Sequence, residues 1–507
     1  MMKHLFCFFQ TLASLAVFAV LIVQTVWGTV VVPPPLPLQP IPSASQITFQ
    51  MRERAMFFHF GMNTFTNVEV GTGLDDPRTF YPKALNTRQW VRHAKEAGFK
   101  LVILTAKHHD GFCLWPSAYT KYSVQSSLWM KGTGDVVREL AAAVREEGLE
   151  MGLYLSPWDR HESTYGQTIA YNELYLGQLH ELLTRYDTIS EVWLDGAKGN
   201  NTPSMEYKFR DWFTTIRQLQ PGANIFSDAG PDTRWVGDEQ GQAGSTCWSM
   251  VNRSSIQIGG ANQESYLNHG DIYGRNWVPP ECDVSIRSGW FWHADQQPKT
   301  VESLLDIYYK SVGRNCVLLL NVPPNSTGLL PEEDVKVLHQ FNAALKSIFS
   351  NNLASDALAT SSSIYGEADG IQNEDESHYS PSKVLDKDIF TYWAPTAGQT
   401  SGYLQFDLQK AIDFNVVEIQ EAFYMGQRVM SYNVDMWKDG SWYTLCNGTT
   451  IGYKKLDRFP AVKAAQRVRL VISKARDLPL IASFSLYLDK ISPPLALLPL
   501  TNLHQST

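Results

Sequence analysis

Only six of the 507 residues are cysteine, and none falls in a CxxC pair, so the chain encodes neither a disulfide-dense scaffold nor a zinc ribbon. Cys7 lies in an apolar N-terminal segment. The other five, Cys113, Cys247, Cys282, Cys316 and Cys446, are odd in number and far apart, so at least one stays unpaired or bonds another chain. Basic surplus is also missing: 43 Lys and Arg stand against 51 Asp and Glu, with no basic run, which removes nucleic acid as an expected partner. No GxGxxG or GxxxxGK[ST] motif is present, so a nucleotide site is not expected, and no period of solenoid length recurs. The apolar stretch Thr11 to Val23 is shorter than the ~20 residues a membrane-spanning helix needs.

That stretch, preceded by Lys3 and His4 and followed by Gly28, reads instead as a secretory signal peptide over residues 1–28, leaving no membrane attachment after cleavage. Four N-glycosylation sequons, at Asn200, Asn252, Asn325 and Asn447, agree with a secreted, extracellular glycoprotein. The prolines of "VVPPPLPLQPIP" favour an extended linker over residues 29–42. From 43 to 350, short β-rich runs such as "MFFHFGMNTF", "KLVILTAKHHDGF", "LEMGLYLSPW", "EVWLDG", "NIFSD", "SGWFWH" and "CVLLLNVPPN" alternate with amphipathic helical patterns. This alternation predicts an α/β fold, a (β/α)8-like barrel with parallel strands inside and helices outside. Over 355–490 the texture changes to short alternating runs, "YLQFDL", "FNVVEIQEAF", "SYNVDMW", "SWYTLC", "RVRLVIS" and "SFSLYL", which predict an all-β sandwich; a tail, 491–507, follows.

Polar residues cluster at the C-terminal ends of the barrel runs: His59, His108, His109, Tyr154, Asp195 and Asp228. Barrel enzymes build their sites at that face. Asp195 closes the apolar run "EVWLDG", and Glu239 follows Trp235 and Val236 in a loop bounded by glycines. A pair of carboxyl groups is what glycosidic cleavage requires, one at the anomeric carbon and one protonating the leaving oxygen, and aromatic surface beside a carboxyl favours its neutral form. With 51 acidic residues many such pairs arise, and on the residues alone loop-capping acids are the stronger reading of these two. In a strand His108 and His109 point to opposite faces, so they share a ligand only if the strand has ended before them. Without further His or Cys at metal spacing, no metal and no cofactor is expected.

In combination, "FHFGMNTFT", "KHHDGFCLWPS", "GLYLSPWD", "EVWLDG", "RWVGDEQG", "SIRSGWFWH" and the C-terminal "GYLQFDL", "EAFYMGQRV" and "IGYKK" resemble family 29 glycoside hydrolases, the retaining α-L-fucosidases, and within them secreted plant members of the subfamily preferring α1,3- and α1,4-linked fucose. The resemblance implies Asp195 as nucleophile and Glu239 as acid/base. It implies His59, Glu69, His108, His109 and Tyr154 as holders of the sugar, with Trp290 and Arg287 closing the pocket. Fucosylated oligosaccharides or N-glycans are the implied partners, and a galactose-binding-like module the implied C-terminal fold, bracing the barrel or trimming its cleft. Phe60 and Val70 stand where many members carry tryptophan, so stacking at that wall differs. Three other readings stay open on the residues alone: a non-catalytic secreted carbohydrate-binding protein, a metal-dependent hydrolase using the His pair, and a barrel glycosidase for another sugar such as galactose.

Overall fold

A computed structural model describes residues 33–199, 203–366 and 378–492; the expected signal peptide, Asn200 and nearly all of the tail fall outside these ranges. The first helix, α1 (Ala44–Arg52), is fixed at its start by a capping box, in which Ser43 Oγ accepts from the Gln46 amide while Gln46 Oε1 accepts from the Ser43 amide.

Eight parallel strands follow: β1 (Arg54–Phe58), β2 (Leu101–Lys107), β3 (Glu150–Leu155), β4 (Glu191–Trp193), β5 (Asn224–Phe226), β6 (Arg234–Trp235), then, after a two-stranded ribbon of β7 (Met250–Val251) and β8 (Asn276–Trp277), β9 (Pro280–Ser285) and β10 (Val317–Asn321). They pair in the order β5-β4-β3-β2-β1-β10-β9-β6, and a single parallel bridge from Phe226 to Thr233 spans the remaining gap. The expected barrel is therefore present and nearly closed. Around it lie α2 (Met62–Thr66), α3 (Thr87–Glu96), α4 (Val136–Glu147), α5 (Thr168–Arg185), α6 (Phe209–Leu219), α7 (Glu264–His269), α8 (Val301–Lys310) and α9 (Glu332–Phe349).

Two departures from the sequence expectation have local causes. Residues 227–233 connect β5 to β6 without a helix, because seven residues that include Gly230 at φ 89° and Pro231 cannot form one. "SGWFWH" is a loop rather than a strand. The strand beside it is "PECDVS", in which alternate residues are charged or polar because they face the barrel interior rather than solvent.

The period of two decides what that interior contains. Odd-numbered residues of β1, β2, β4 and β10 (Ala55, Phe57, Leu101, Ile103, Trp193, Leu319) pack with Tyr154 and Phe226 as a separate inner cluster, while even-numbered neighbours such as Met56, Val102, Val192 and Leu320 join the large core beneath the helices. Trp193 and Phe226 stack at 4.0 Å and fill the lumen, so the barrel is a packed core and not a channel.

The C-terminal region is all antiparallel: β11 (Leu358–Ser361), β12 (Gly402–Glu421), β13 (Val429–Lys438), β14 (Ser441–Gly448), β15 (Lys455–Ala475) and β16 (Ile481–Tyr487). "YLQFDL" and "FNVVEIQEAF" form one long strand, β12, whose pairing with β15 shifts register between Asp407 and Val416. Such bulges bend a strand, which lets the sheet fold over its own core of Trp393, Phe406, Phe414, Val434, Leu470 and Phe484.

This module braces the barrel from the end opposite the strand C-termini. Lys454 pairs with Glu53 at 2.6 Å just before β1, Tyr453 N donates to Asn315 Oδ1 just before β10, and Arg458 pairs with Asp306 at 2.7 Å while lying over the Tyr309 ring at 3.9 Å. Burial works against the Glu53 charge, yet the Lys454 ammonium and hydrogen bonds from Lys454 and Tyr453 outweigh it and hold its carboxyl down at about 2.

Candidate active site

The C-terminal strand ends open into a cavity of about 500 Å³. Its walls include Phe57, His59, Glu69, His108, His109, Tyr154, Trp193, Asp195, Asp228, Trp235, Glu239, Asp283 and Trp290. Asp195 is there because β4 continues its alternation: Glu191, Trp193 and Asp195 face the lumen in three successive layers, while Val192 and Leu194 are buried among the helices. The aspartate is then held from two sides. Tyr154 Oη donates to Asp195 Oδ2 at 3.0 Å, and the Ala197 amide donates to Oδ1 at 2.7 Å. Burial, and next the Asp195 charge, push the Tyr154 hydroxyl well above its ordinary range, so it stays a donor.

His108 and His109 both reach the cavity because β2 ends at Lys107 and the chain turns. The Ser156 hydroxyl donates to Trp158 O at 2.6 Å and so accepts from His109 Nδ1 at 2.8 Å, which leaves Nε2 as an acceptor facing Asp195 Oδ2 across 3.7 Å. A hydroxyl placed between them could donate to either. His59 follows the same logic: Asn321 Nδ2 donates to Trp290 O and Ser285 Oγ, so Asn321 Oδ1 accepts from His59 Nδ1 at 2.9 Å, leaving Nε2 as an acceptor for the cavity. Burial lowers His59 to about 3 and lowers both His108 and His109, so the His59 and His108 rings are neutral at neutral pH. Asn63 Nδ2, which donates to Glu69 O, also faces His108 Nδ1 at 3.4 Å, so His108 offers Nε2–H to the cavity where His59 offers a lone pair.

Glu239 stands on the loop after β6, its Oε2 accepting from Trp290 Nε1 at 3.3 Å. Burial raises its pKa; the indole hydrogen bond opposes this, and the Asp195, Glu69 and Asp238 charges add to the rise. Glu69, also in the cavity wall, is engaged by the protein itself. It accepts from the backbone amides of Trp290 (2.9 Å) and Phe291 (3.3 Å) and meets His293 Nε2 at 2.6 Å, so it shapes the loop that carries Trp290.

Arg287 is a correction. It does not line the cavity; it is 1 % exposed and its guanidinium binds Asp334 at 2.8 Å and Glu333 at 2.7 Å on α9. β9 ends at Ser285, so strand alternation no longer directs position 287, and the Arg287 side chain turns to α9, where it fastens the Trp290 loop from behind.

Two further carboxyls line the wall: Asp228, placed at a strand end by the sequence but given no role, and Asp283, which the motifs did not indicate. Asp228, in line with Asn224 and Phe226 on β5, accepts from the Gly259 amide at 2.8 Å, and burial together with the Asp195 charge raises it to about 6. Asp283, on the inward face of β9, accepts from Trp235 Nε1 at 3.0 Å, and burial, then the Glu239 charge, push it well up. The alternation of Glu281, Asp283 and Ser285 in "PECDVS" was the available signal. Among the cysteines, Cys282 and Cys316 form a disulfide, and among the described residues Cys113, Cys247 and Cys446 carry none.

Comparison with known proteins decides the family. Residues 44–347 match the family model described as alpha-L-fucosidase, and residues 359–484 match an F5/8 type C domain. The chain belongs to the alpha-L-fucosidase family. It is 55 % identical to Alpha-L-fucosidase 1 of Arabidopsis thaliana over 91 % of this chain and 90 % of that one. A Ruminococcus gnavus GH29 fucosidase solved in complex with fucose superposes with a TM-score of 0.84 at 35 % identity, covering 91 % of this chain and 97 % of its own. A glycoside hydrolase 29 family member from a rumen bacterium gives 0.78 at 36 %, covering 91 % and 79 %. This alpha-L-fucosidase family member is thus a glycoside hydrolase with a discoidin-like module, as its motifs implied.

Proposed function

We propose that this glycoside hydrolase removes terminal α-linked L-fucose, from α1,3 or α1,4 linkages on glycans or glycoproteins, by a retaining double displacement. The observation that supports this reading is the contrast between the two carboxyl groups of one cavity: Asp195 is held by two donors, Tyr154 Oη and the Ala197 amide, whereas Glu239 is desolvated and raised. A carboxylate held by donors suits a nucleophile, and a desolvated carboxyl suits a proton donor. Asp195 attacks the anomeric carbon as Glu239 protonates the departing oxygen; Glu239 then takes a proton from water, which displaces fucose from Asp195 with net retention. His59 and His109 accept hydrogen bonds from the sugar hydroxyls, neutral His108 donates one through Nε2–H, and Trp290 closes the wall.

Hydrolysis of α1,2-, α1,3-, α1,4- and α1,6-fucosylated glycans, with the first-formed anomer followed by NMR, tests this: release of α-L-fucose from the α1,3 and α1,4 substrates is expected. Exclusive α1,2 cleavage overturns the linkage assignment, and β-L-fucose as the first product overturns retention. Hydrolysis of an aryl β-galactoside but not of an aryl α-L-fucoside overturns the sugar assignment.

The enzyme is proposed to act outside the cell, in a plant the apoplast. Support comes from the signal-like N-terminus, the disulfide between Cys282 and Cys316, and the exposed or half-buried sequon residues Asn252, Asn325 and Asn447. Expression of the full chain should deliver enzyme to the medium, with a mass that falls on treatment with a peptide N-glycosidase; retention inside the cell without glycan contradicts it.

A further inference from the structure

On the outer surface of the barrel, with residues that line no part of the catalytic cavity, α3 and α9 bring three ligand atoms together. His93 Nδ1 lies 3.0 Å from Glu96 Oε2 and 3.2 Å from His339 Nε2, and His339 Nε2 lies 3.4 Å from Glu96 Oε2. Among the described residues this is the one trio of His, Cys, Asp or Glu gathered so closely. We propose that His93, Glu96 and His339 form a zinc site that clamps α3 to α9.

The triangle has the right size. Four ligands at zinc's usual ~2.0–2.1 Å form a tetrahedron whose edges are about 3.3 Å, and the three distances bracket that value. Two imidazoles and one carboxylate are a zinc set, with the fourth position left to water, and the side chains of Glu96 and His339 are 46 % and 43 % exposed, so an ion has access. Protons alone serve the trio poorly. His93 meets both partners through the same Nδ1, which carries at most one hydrogen, whereas one cation satisfies all three lone pairs together.

The arrangement is also held in place without the metal. His93 and Glu96 are three apart on one helix and so share a face. On either side of them α3 is tied to α9 and to the segment that leads into it: Asn342 Nδ2 donates to Glu96 O at 2.8 Å, and Gln89 exchanges hydrogen bonds with the Leu330 backbone at 3.1 and 2.9 Å. Because α3 follows β1 and α9 follows β10, and those strands pair, the ion would lock the seam where the barrel's first and last strands meet. A stabilising clamp, separate from the chemistry, is the role this position assigns.

The test uses the full chain stripped with a chelator. Zinc titration should show saturable uptake of one ion per chain at this site and a thermal midpoint that rises with zinc concentration. His339→Gln and Glu96→Gln should each weaken uptake by more than the ~10–100-fold that loss of a mere outer-shell partner costs, and leave aryl fucoside turnover unchanged. Cobalt(II) in the unaltered chain should give the intense visible absorption of a four-coordinate ion, which keeps the test decisive if a variant folds poorly. No saturable uptake, a weak six-coordinate cobalt spectrum, or uptake undiminished in His339→Gln overturns the proposal; the last result would assign the zinc to other histidines.

Discussion

At the scale of single residues, the cavity sets its two carboxyl groups in different surroundings: Asp195 is held by two donors, and Glu239 is desolvated beside an indole. Trp290 Nε1 is the one hydrogen bond that favours the charged form of Glu239, against burial and three acidic neighbours that favour the neutral form. Removing it in Trp290→Phe should raise the Glu239 pKa further, and the alkaline limb of the kcat/KM profile should move to higher pH; an unmoved or lowered limb contradicts the assignment of that limb to Glu239. Asp195 depends on its own donors. Tyr154→Phe deletes one of them, leaving the carboxylate to the Ala197 amide, and should reduce kcat/KM by roughly 10–100-fold, the ~1–3 kcal/mol of a hydrogen bond to a charged group, with little change in thermal midpoint.

At the scale of elements, the loop over residues 288–293 exists as a wall because it is fastened on both sides. Glu69 accepts its amides from the front, and Arg287 is buried against Asp334 behind it. Breaking a buried ion pair costs ~3–5 kcal/mol, so Arg287→Met should lower the thermal midpoint sharply, and any rise in KM should accompany that loss as the wall loop loosens; a raised KM without loss of stability would return Arg287 to the substrate. The same elements show how much was legible in the sequence. Asp195 was legible because the apolar run "EVWL" ends on it, and alternation alone then turns it inward. The His108 and His109 pair was not decidable from periodicity, since everything depended on whether β2 stopped at Lys107. "SGWFWH" has strand composition and yet is a loop, because Glu69, 221 residues away in sequence, supplies the acceptors that a neighbouring strand would otherwise provide. Arg287 was assigned to the pocket from its motif, and only the packing of α9 reveals its partner.

At the scale of the whole molecule, the discoidin-like module stabilises the barrel from below and leaves the described cavity walls entirely to the barrel. Glu53 joins the two. Its carboxyl is lowered in the folded protein from 4.5 to about 2, so its contribution is fully present above the unfolded value near 4.5 and is lost as pH falls through about 2. That shift corresponds to roughly 3 kcal/mol. Glu53→Gln should therefore be less stable than the parent at neutral pH, with the difference shrinking as acid unfolding curves are followed below pH ~4; a difference that grows in acid contradicts the Glu53 to Lys454 pairing as the source. The central claim, that the barrel presents Asp195 to an anomeric carbon, is tested most directly by trapping. A 2-fluoro-fucosyl fluoride forms its glycosyl-enzyme quickly and releases it slowly, and peptide mapping of the inactivated protein should locate the single added fucosyl mass on Asp195, with Asp195→Gly unlabelled and almost inactive. Label on Glu239, Asp228 or Asp283, or full turnover by Asp195→Gly, would contradict it.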